Sequence, residues 1–254
     1  MTPRSDRTTA AGAAVFTYEV IGSTSTEARQ RGEAGVGDPL WITAKRQTGG
    51  RGRLGRAWSS PEGNFYGTFL TPWSGPLEQA GLLSLATGLA VAEALEDIGL
   101  KAGSARLKWP NDVRIDMRKI SGVLVETGEG EAGRWASIGI GVNLKIAPEG
   151  VGQETISAQA LTGAAPTPEA FLDTLDMRLT RWIAETSNPA ALRLAWLERA
   201  EGLGRLAQAE IGRESFVGEI VDLNDDGALV LEDASGHRCP IRAGQVRYLA
   251  AEAV

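Results

Sequence analysis

The pattern of apolar and polar positions predicts alternating strands and helices over most of the chain. Short apolar runs bounded by turn residues predict strands, and apolar positions repeated every three or four residues predict helices. The predicted strands are residues 39–44, 64–70, 106–109, 113–115, 120–126 and 135–141. The predicted helices follow the capping sequence at residues 23–25, cover residues 77–98, and follow Pro168 and Pro189. This order predicts an α/β (α+β) fold, with a mixed sheet packed against helices.

The pattern changes after residues 202–204, where short predicted strands alternate with tight turns. The predicted strands are residues 214–223, 228–232, 238–242 and 245–249, and Asp225-Asp226-Gly227 forms a hairpin turn. They predict a small SH3-like barrel over residues 205–254. Residues 16–204 form the main domain, and residues 1–15 are predicted to be a disordered tail.

Composition excludes several kinds of chemistry. The chain has 254 residues, of which 43% are hydrophobic and 23% charged, as is usual for a globular protein. A single cysteine, Cys239, excludes a disulfide framework within the chain and a Cys-rich zinc site. A single histidine, His237, argues against histidine metal clusters and Ser-His-Asp triads. We expect His237 to be exposed beside a hairpin turn and Cys239 to have a core or edge role in the barrel.

Charge and hydropathy restrict the partners. The net charge of −6 argues against a surface built for nucleic acid or for an anionic membrane. The longest apolar stretch, residues 82–95, is shorter than the ~20 residues that a membrane span needs. We therefore expect no membrane association and a cytoplasmic location, with which a single cysteine agrees.

The segment of residues 45–56 concentrates positive charge. It holds five basic residues and no acidic one, and four glycines interleave with Arg51, Arg53 and Arg56. Glycines allow backbone N–H groups to surround an anion, and arginine offers planar donors to phosphate or carboxylate. A flexible solvated loop or a Gly/Arg-rich RNA-binding tail has a similar composition, although apolar strands on both sides argue against a tail.

Two further segments carry polar residues at strand ends. In Lys108-Trp109-Pro110-Asn111-Asp112 the turn residues place Asp112 beside strand ends, and Lys119 immediately precedes an apolar strand. The alternative is that Asp112 is only a turn residue and that Lys119 only protects a sheet edge from aggregation. In residues 138–144, Gly139 and Gly141 leave one smooth backbone face, and Asn143 offers both a donor and an acceptor. The third glycine and downstream acid of a dinucleotide-binding motif are missing.

Together these segments resemble the biotin protein ligases. The motifs that carry the resemblance occur in the family's order and are Gly22-Ser23-Thr24, Gly50-Arg51-Gly52-Arg53-x-Gly55-Arg56-x-Trp58, Lys108-Trp109-Pro110-Asn111-Asp112, Lys119-x-x-Gly122 and Gly139-x-Gly141-x-Asn143-Leu144. The resemblance implies a catalytic domain of the class II synthetase and biotin/lipoate ligase type. It also implies a reaction in two steps. ATP and biotin give biotinoyl-5′-AMP, and the biotinoyl group then passes to a lysine of a biotin carboxyl carrier protein of an acyl-CoA carboxylase.

The resemblance also implies roles for individual residues. The implied catalytic residues are Arg51, Arg53, Asp112 and Lys119. The implied biotin-binding residues are Ser23, Thr24, Gln47, Gly50, Arg51, Gly52, Arg53, Lys119, Gly122, Gly139 and Gly141. The implied ATP- or adenylate-binding residues are Arg53, Arg56, Trp58, Lys108, Asn111, Asp112, Lys119 and Asn143. Magnesium is expected on the ATP phosphates rather than in a metal site of the protein.

The chain departs from the family pattern at two places. Ser25 stands where the family usually has asparagine. Residues 1–15 are too few for the helix-turn-helix domain of bifunctional members, so we expect a monofunctional ligase that does not bind DNA, as a monomer or homodimer. Two other functions remain open. One is a lipoate-protein ligase on the same fold, and the other is a non-enzymatic module that binds nucleic acid or biotin.

Overall fold

The strands and helices are taken from a computed structural model, which describes residues 7–76, 79–211 and 214–249. The strands are β1 (Arg7–Thr8), β2 (Ala14–Ile21), β3 (Leu40–Gln47), β4 (Phe65–Pro72), β5 (Arg106–Lys108), β6 (Asp112–Ile115), β7 (Arg118–Gly130), β8 (Gly133–Val142), β9 (Leu206–Ile211), β10 (Glu214–Leu223), β11 (Leu229–Glu232), β12 (Arg238–Ile241) and β13 (Gln245–Tyr248). The helices are α1 (Thr24–Glu33), α2 (Ala80–Asp97), α3 (Ala158–Thr162), α4 (Pro168–Ala184) and α5 (Pro189–Arg199).

The first eight strands form one mixed sheet in the order β1-β2-β3-β4-β8-β7-β6-β5. Strands β2 and β3 are parallel, and the other neighbours are antiparallel. Successive side chains of a strand point to opposite faces, so Trp41 belongs to a large core with α2 and α4 whereas Ile42 packs in a smaller core with α1. Helices therefore cover both faces, and the predicted mixed sheet packed against helices is confirmed.

The helices follow the predicted apolar pattern. Helix α4 begins with Pro168 after Thr167, whose side chain accepts a hydrogen bond from the backbone N–H of Ala170. Its predicted apolar stripe is buried, namely Phe171, Leu172, Leu175, Leu179 and Trp182. Helix α2 is buried nearly all round because it lies between the sheet and helices α4 and α5. Its first two predicted residues, 77 and 78, lie outside the described part of the chain.

The last five strands form a second, antiparallel sheet in the order β12-β11-β10-β9-β13. This sheet fits the predicted small barrel-like domain. It shares one hydrophobic core with the first sheet and α2. The indole Nε1 of Trp109 donates a 3.0 Å hydrogen bond to the carbonyl of Gly227. His237 is exposed, as predicted, and Cys239 is half-buried on the edge strand β12.

The prediction of a disordered tail over residues 1–15 was wrong for residues 7–15. Strand β1 pairs with the start of β2 in register Arg7 to Val15, and Ala13 and Val15 are buried. A tight turn closes this hairpin, with the backbone N–H of Gly12 donating to the carbonyl of Thr9. Two apolar side chains and one turn are too short a pattern to stand out in the sequence. Residues 1–6 lie outside the described residues.

None of the helices in the described ranges is both long and apolar enough to span a lipid bilayer.

Candidate active site

A cleft of about 890 Å³ opens where the two sheets meet. The arginine loop (residues 48–58), the turn between β5 and β6, the facing parts of β7 and β8, the loop of residues 148–155 and residues 244–247 of the second sheet line it, together with Thr24, Ser25, Gln47 and Thr68. Most of the residues that the sequence analysis selected lie here, although they come from distant parts of the chain. Ser23 and Gly50 are the two selected residues that support the cleft without lining it.

Lys119 and Asp112 form an ion pair inside the cleft. The Nζ of Lys119 lies 2.7 Å from Oδ1 of Asp112, and the two side chains are 12% and 17% exposed. Strand pairing fixes the positions of both, because Asp112 lies opposite Gly122 and Lys119 lies opposite Arg114 across β6 and β7. The ammonium group also lies 5.2 Å from the centre of the Trp58 ring, within range of a cation–π interaction. A positive charge is thus held beside a carboxylate and an aromatic face.

Arg53 is held from two sides. Its guanidinium donates to Oδ1 of Asn111 at 3.2 Å and to the carbonyl of Gly244 at 3.4 Å. Asn111 is in turn oriented by a 2.7 Å hydrogen bond from its Nδ2 to the carbonyl of Val123. Burial lowers the pKa of Arg53, while the charge of Asp112 opposes this shift. Arginine remains charged at neutral pH, so Arg53 brings a poorly solvated cation to the cleft.

Arg51 faces the rim of the cleft. Its guanidinium lies 3.0 Å from Oε1 of Glu126, which also pairs with Arg29 of α1. Glu126 is only 16% exposed, and its two ion pairs, with Arg29 and Arg51, neutralise its charge. Arg56 is exposed, and its carbonyl accepts a 2.7 Å hydrogen bond from the backbone N–H of Gly52. All three arginines of the arginine loop line the cleft, and Arg53 is the least exposed of them.

The glycines of β7 and β8 allow Trp58 to approach the sheet. A Cβ added to Gly141 would lie 2.4 Å from the Trp58 ring, and one added to Gly122 would lie 2.8 Å from it. A Cβ on Gly139 would meet nothing closer than 3.5 Å. Trp58 therefore packs against Gly122 and Gly141, and Gly139 lies outside this contact.

Thr24 and Gln47 line one end of the cleft. Oε1 of Gln47 accepts hydrogen bonds from the backbone N–H of Thr24 at 2.8 Å and from its hydroxyl at 3.2 Å. The hydroxyl of Ser23 lies 2.9 Å from that of Ser25, so Ser23 does not cap α1 with its side chain. Polar groups that can pair with a ligand's own donors and acceptors are thus concentrated at this end.

Lys108 and Asn143 also line the cleft. The Nζ of Lys108 lies 5.1 Å from the centre of the Tyr248 ring. Burial lowers the pKa of Lys108, and the nearby charge of Arg114 lowers it further. Asn143 is 2% exposed, and its buried Oδ1 has no hydrogen-bond partner within the described part of the chain. An unpaired buried acceptor is costly, so a donor from a bound molecule would stabilise it.

Comparisons with known proteins agree with this geometry. A sequence model of the biotin/lipoate A/B protein ligase family matches residues 17–143. A biotin–acetyl-CoA-carboxylase ligase from Paracoccus denitrificans is 39% identical over 215 residues, which cover 80% of this chain and 88% of that protein. The chain belongs to the biotin/lipoate A/B protein ligase family.

Two further relatives support the same family. A biotin–acetyl-CoA-carboxylase ligase from Mycobacterium tuberculosis is 31% identical over 237 residues, covering 90% of this chain and 86% of that protein. Among solved structures, the biotin protein ligase from Aquifex aeolicus in complex with biotin and ATP has a TM-score of 0.75. It is 27% identical, with 93% of this chain and 99% of that chain covered.

Sequence reasoning missed several residues that build the cleft of this biotin/lipoate ligase family member. Ser60 hydrogen-bonds the side chain of Gln47, and Thr68 that of Thr24. The carbonyl of Gly244 accepts a hydrogen bond from Arg53. Ser60 lies two positions after the Trp58 of a quoted motif, which is a signal that could have been followed. Gly244 is far away in sequence, and only the packing of the second sheet places it here.

Proposed function

We propose that this chain is an ATP-dependent biotin protein ligase. It activates biotin as biotinoyl-5′-AMP and then transfers the biotinoyl group to a lysine of a carrier domain. The observation that carries this proposal is the 39% identity to the Paracoccus denitrificans biotin–acetyl-CoA-carboxylase ligase over 88% of its length. The partner that we propose is therefore the biotin carboxyl carrier domain of an acyl-CoA carboxylase, and the proposed location is the cytoplasm.

The first step joins two anions, the biotin carboxylate and the α-phosphate of ATP. A carboxylate oxygen attacks the α-phosphorus, and the bond to pyrophosphate breaks. We propose that Arg53 and Lys119 neutralise the negative charge that builds up between these groups. Both are half-buried cations that face one cleft, which makes their effect stronger than in water.

In the second step the ε-amine of the carrier lysine attacks the acyl carbon of the mixed anhydride, and AMP leaves with the electrons of the broken bond. The amine must lose a proton, and we propose that Asp112 accepts it, because Asp112 is the one carboxylate among the described residues that line the cleft. Trp58 and the arginine loop cover the cleft, and we propose that they protect the anhydride from water.

Magnesium would enter on the phosphates of ATP. Among the described residues, no group of three or more His, Cys, Asp or Glu side chains could hold a metal ion. Asp112 is already paired with Lys119 at 2.7 Å. Magnesium supplies charge neutralisation of the phosphates when it is bound.

Mass spectrometry of the activated intermediate tests the proposed function. The protein is mixed with ATP, magnesium and either biotin or lipoate, and the acyl-AMP is identified by its mass. We expect biotinoyl-AMP from biotin and no adenylate from lipoate. Lipoyl-AMP alone would overturn the substrate while keeping the reaction class. Biotin binding without any adenylate would indicate a binding module rather than an enzyme.

A further inference from the structure

A chain of hydrogen bonds runs from the sheet to the arginine loop along one end of the cleft. The hydroxyl of Thr68 donates to Oγ1 of Thr24 at 2.9 Å, and the hydroxyl of Thr24 donates to Oε1 of Gln47 at 3.2 Å. Nε2 of Gln47 donates to Oγ of Ser60 at 3.0 Å. The hydroxyl of Ser60 donates to the carbonyl of Trp58 at 3.2 Å.

The direction of every bond in this chain is fixed by one group. The backbone N–H of Thr24 can only donate, and it lies 2.8 Å from the Gln47 side-chain oxygen. The oxygen of the amide must therefore face Thr24, and the nitrogen must face Ser60. If the amide were reversed, its nitrogen would meet the N–H donor of Thr24. Ser60 accepts one of the two hydrogens on this nitrogen, and no other described residue accepts the second, which can serve a group in the cleft.

The groups in the chain are shielded from water. Thr68 is fully buried, Thr24 is 4% exposed and Ser60 is 9% exposed. Water therefore cannot readily replace a lost partner, and removing one hydroxyl would leave an unpaired polar group behind. Ser60 is the acceptor that holds the nitrogen end of Gln47.

Ser60 also lies against the base of the arginine loop. A Cβ added to Gly50 would lie 2.8 Å from Oγ of Ser60 and 2.5 Å from the carbonyl of Trp58. The backbone N–H of Trp58 donates to the carbonyl of Gly50 at 2.9 Å, which closes the loop at this point. The orientation of the Gln47 amide is thus coupled to the closed base of the loop.

We propose that Ser60 is a positioning residue for biotin, acting through Gln47. It holds the Gln47 amide so that one N–H donor points into the cleft, towards the carbonyl oxygen of the biotin ureido ring. Thr68 supports the same arrangement from the other side by holding the Thr24 hydroxyl. This inference rests on the proposed function, because it assigns the Gln47 end of the cleft to the ureido ring.

The test measures pyrophosphate exchange with the full-length protein at varied biotin and ATP concentrations. Ser60→Ala should raise the KM for biotin about three- to tenfold, the effect of one lost hydrogen bond, with the KM for ATP and kcat unchanged. Ser60→Thr, which keeps a hydroxyl, should restore part of the loss. Ser137→Ala is the matched control, because Ser137 is 1% exposed and makes only a 3.5 Å hydrogen bond to the carbonyl of Glu126, away from the cleft.

Thr68→Val provides an independent variant if Ser60→Ala fails to fold. It removes the hydroxyl with little change of shape and should also raise the KM for biotin selectively. An unchanged KM for biotin in the folded variant, or an equal rise in both KM values, would overturn the positioning role. Absence of biotinoyl-AMP from the wild-type protein would overturn the proposed function instead, so the two failures are distinguishable.

Discussion

At the scale of single residues, the ion pair of Lys119 and Asp112 bears on two interpretations of the sequence. From sequence, Asp112 could be a turn residue and Lys119 a guard of the sheet edge. In the structure they are paired at 2.7 Å, and both are largely buried. A pair that is merely structural is seldom stabilising when it is buried, because both ions lose hydration. Its position beside the Trp58 ring favours a role in binding anions.

Lys119→Met should slow the first step strongly while the protein still folds. Methionine keeps the apolar stem but removes the charge that faces the reacting groups. We expect pyrophosphate exchange to fall by about 100- to 1,000-fold, which is typical for the loss of one charge-stabilising group. Lys101→Met is the control, because Lys101 is exposed and does not line the cleft. Exchange at the wild-type rate, in a variant with an unchanged melting temperature, would contradict the assigned role.

The buried Lys108 predicts a pH dependence of ATP binding. Burial places the pKa of Lys108 below its ordinary value of 10.5. The side chain is charged below that lowered pKa and loses its charge as the pH rises through it. If Lys108 binds the phosphates, the KM for ATP should increase as the pH rises through this lowered pKa. This pH lies below the range in which exposed lysines lose their charge. Lys108→Arg stays charged throughout and should remove the increase. If Lys108→Arg showed the same increase of the KM for ATP with pH as the wild type, another group would be responsible for it.

Individual residues of the site were predictable where they belonged to a motif. Asp112, Lys119 and Asn143 stand beside turns or glycines, which mark strand ends in a sequence. Ser60 and Thr68 are single polar residues with no local pattern, so only the structure shows what they touch.

At the scale of elements, strands were predictable where their composition agreed with their structure. Strand β9 was not predicted, because its sequence Leu-Ala-Gln-Ala-Glu-Ile is rich in helix-forming residues. It is a strand because it pairs with both β10 and β13 in the middle of the second sheet. Pairing between distant segments overrides local preference here, and a single sequence does not display it.

The contact of the arginine loop with β8 gives a prediction for two neighbouring glycines. Gly141→Ala would place a methyl group 2.4 Å from the Trp58 ring, whereas Gly139→Ala meets nothing within 3.5 Å. Overpacking of this kind costs about 1–3 kcal/mol, so Gly141→Ala should open the loop and speed tryptic cleavage after Arg51, Arg53 or Arg56 about tenfold. Gly139→Ala should be cut at the wild-type rate. Equal cleavage of both variants would show that Trp58 does not hold the loop closed.

At the scale of the whole molecule, the two sheets share one hydrophobic core. This core includes Leu107 of the first sheet and Leu231 of the second. Ion pairs and hydrogen bonds cross the same boundary, including the one from Trp109 to Gly227. Removing the second sheet would expose this core, so a truncated protein is a poor test of what the second sheet does. We expect the two sheets to unfold together.

The positions of the tryptophans allow this expectation to be measured. All seven tryptophans precede the second sheet, at positions 41, 58, 73, 109, 135, 182 and 196. In a Trp109→Phe background, which removes the indole that donates a hydrogen bond to the carbonyl of Gly227, the remaining fluorescence reports on the first part of the chain. Leu231→Ala, in a side chain that is fully buried in the second sheet, should cost about 2–5 kcal/mol. If the molecule is one cooperative unit, this variant lowers the urea midpoint seen by tryptophan fluorescence.

Val217→Ala is the matched control, because Val217 lies in the same sheet but is 44% exposed, and its midpoint should stay near that of the wild type. Hydrogen exchange of the amides in β9 to β13 supplies the second measurement, and it should show the same loss of stability as the fluorescence. A midpoint unchanged by Leu231→Ala, with faster exchange confined to the second sheet, would mean that this sheet unfolds by itself. In that case the hydrogen bond from Arg53 to the carbonyl of Gly244 would break whenever the second sheet unfolds. The cleft would then lack residues 244–247, which line it in the folded protein.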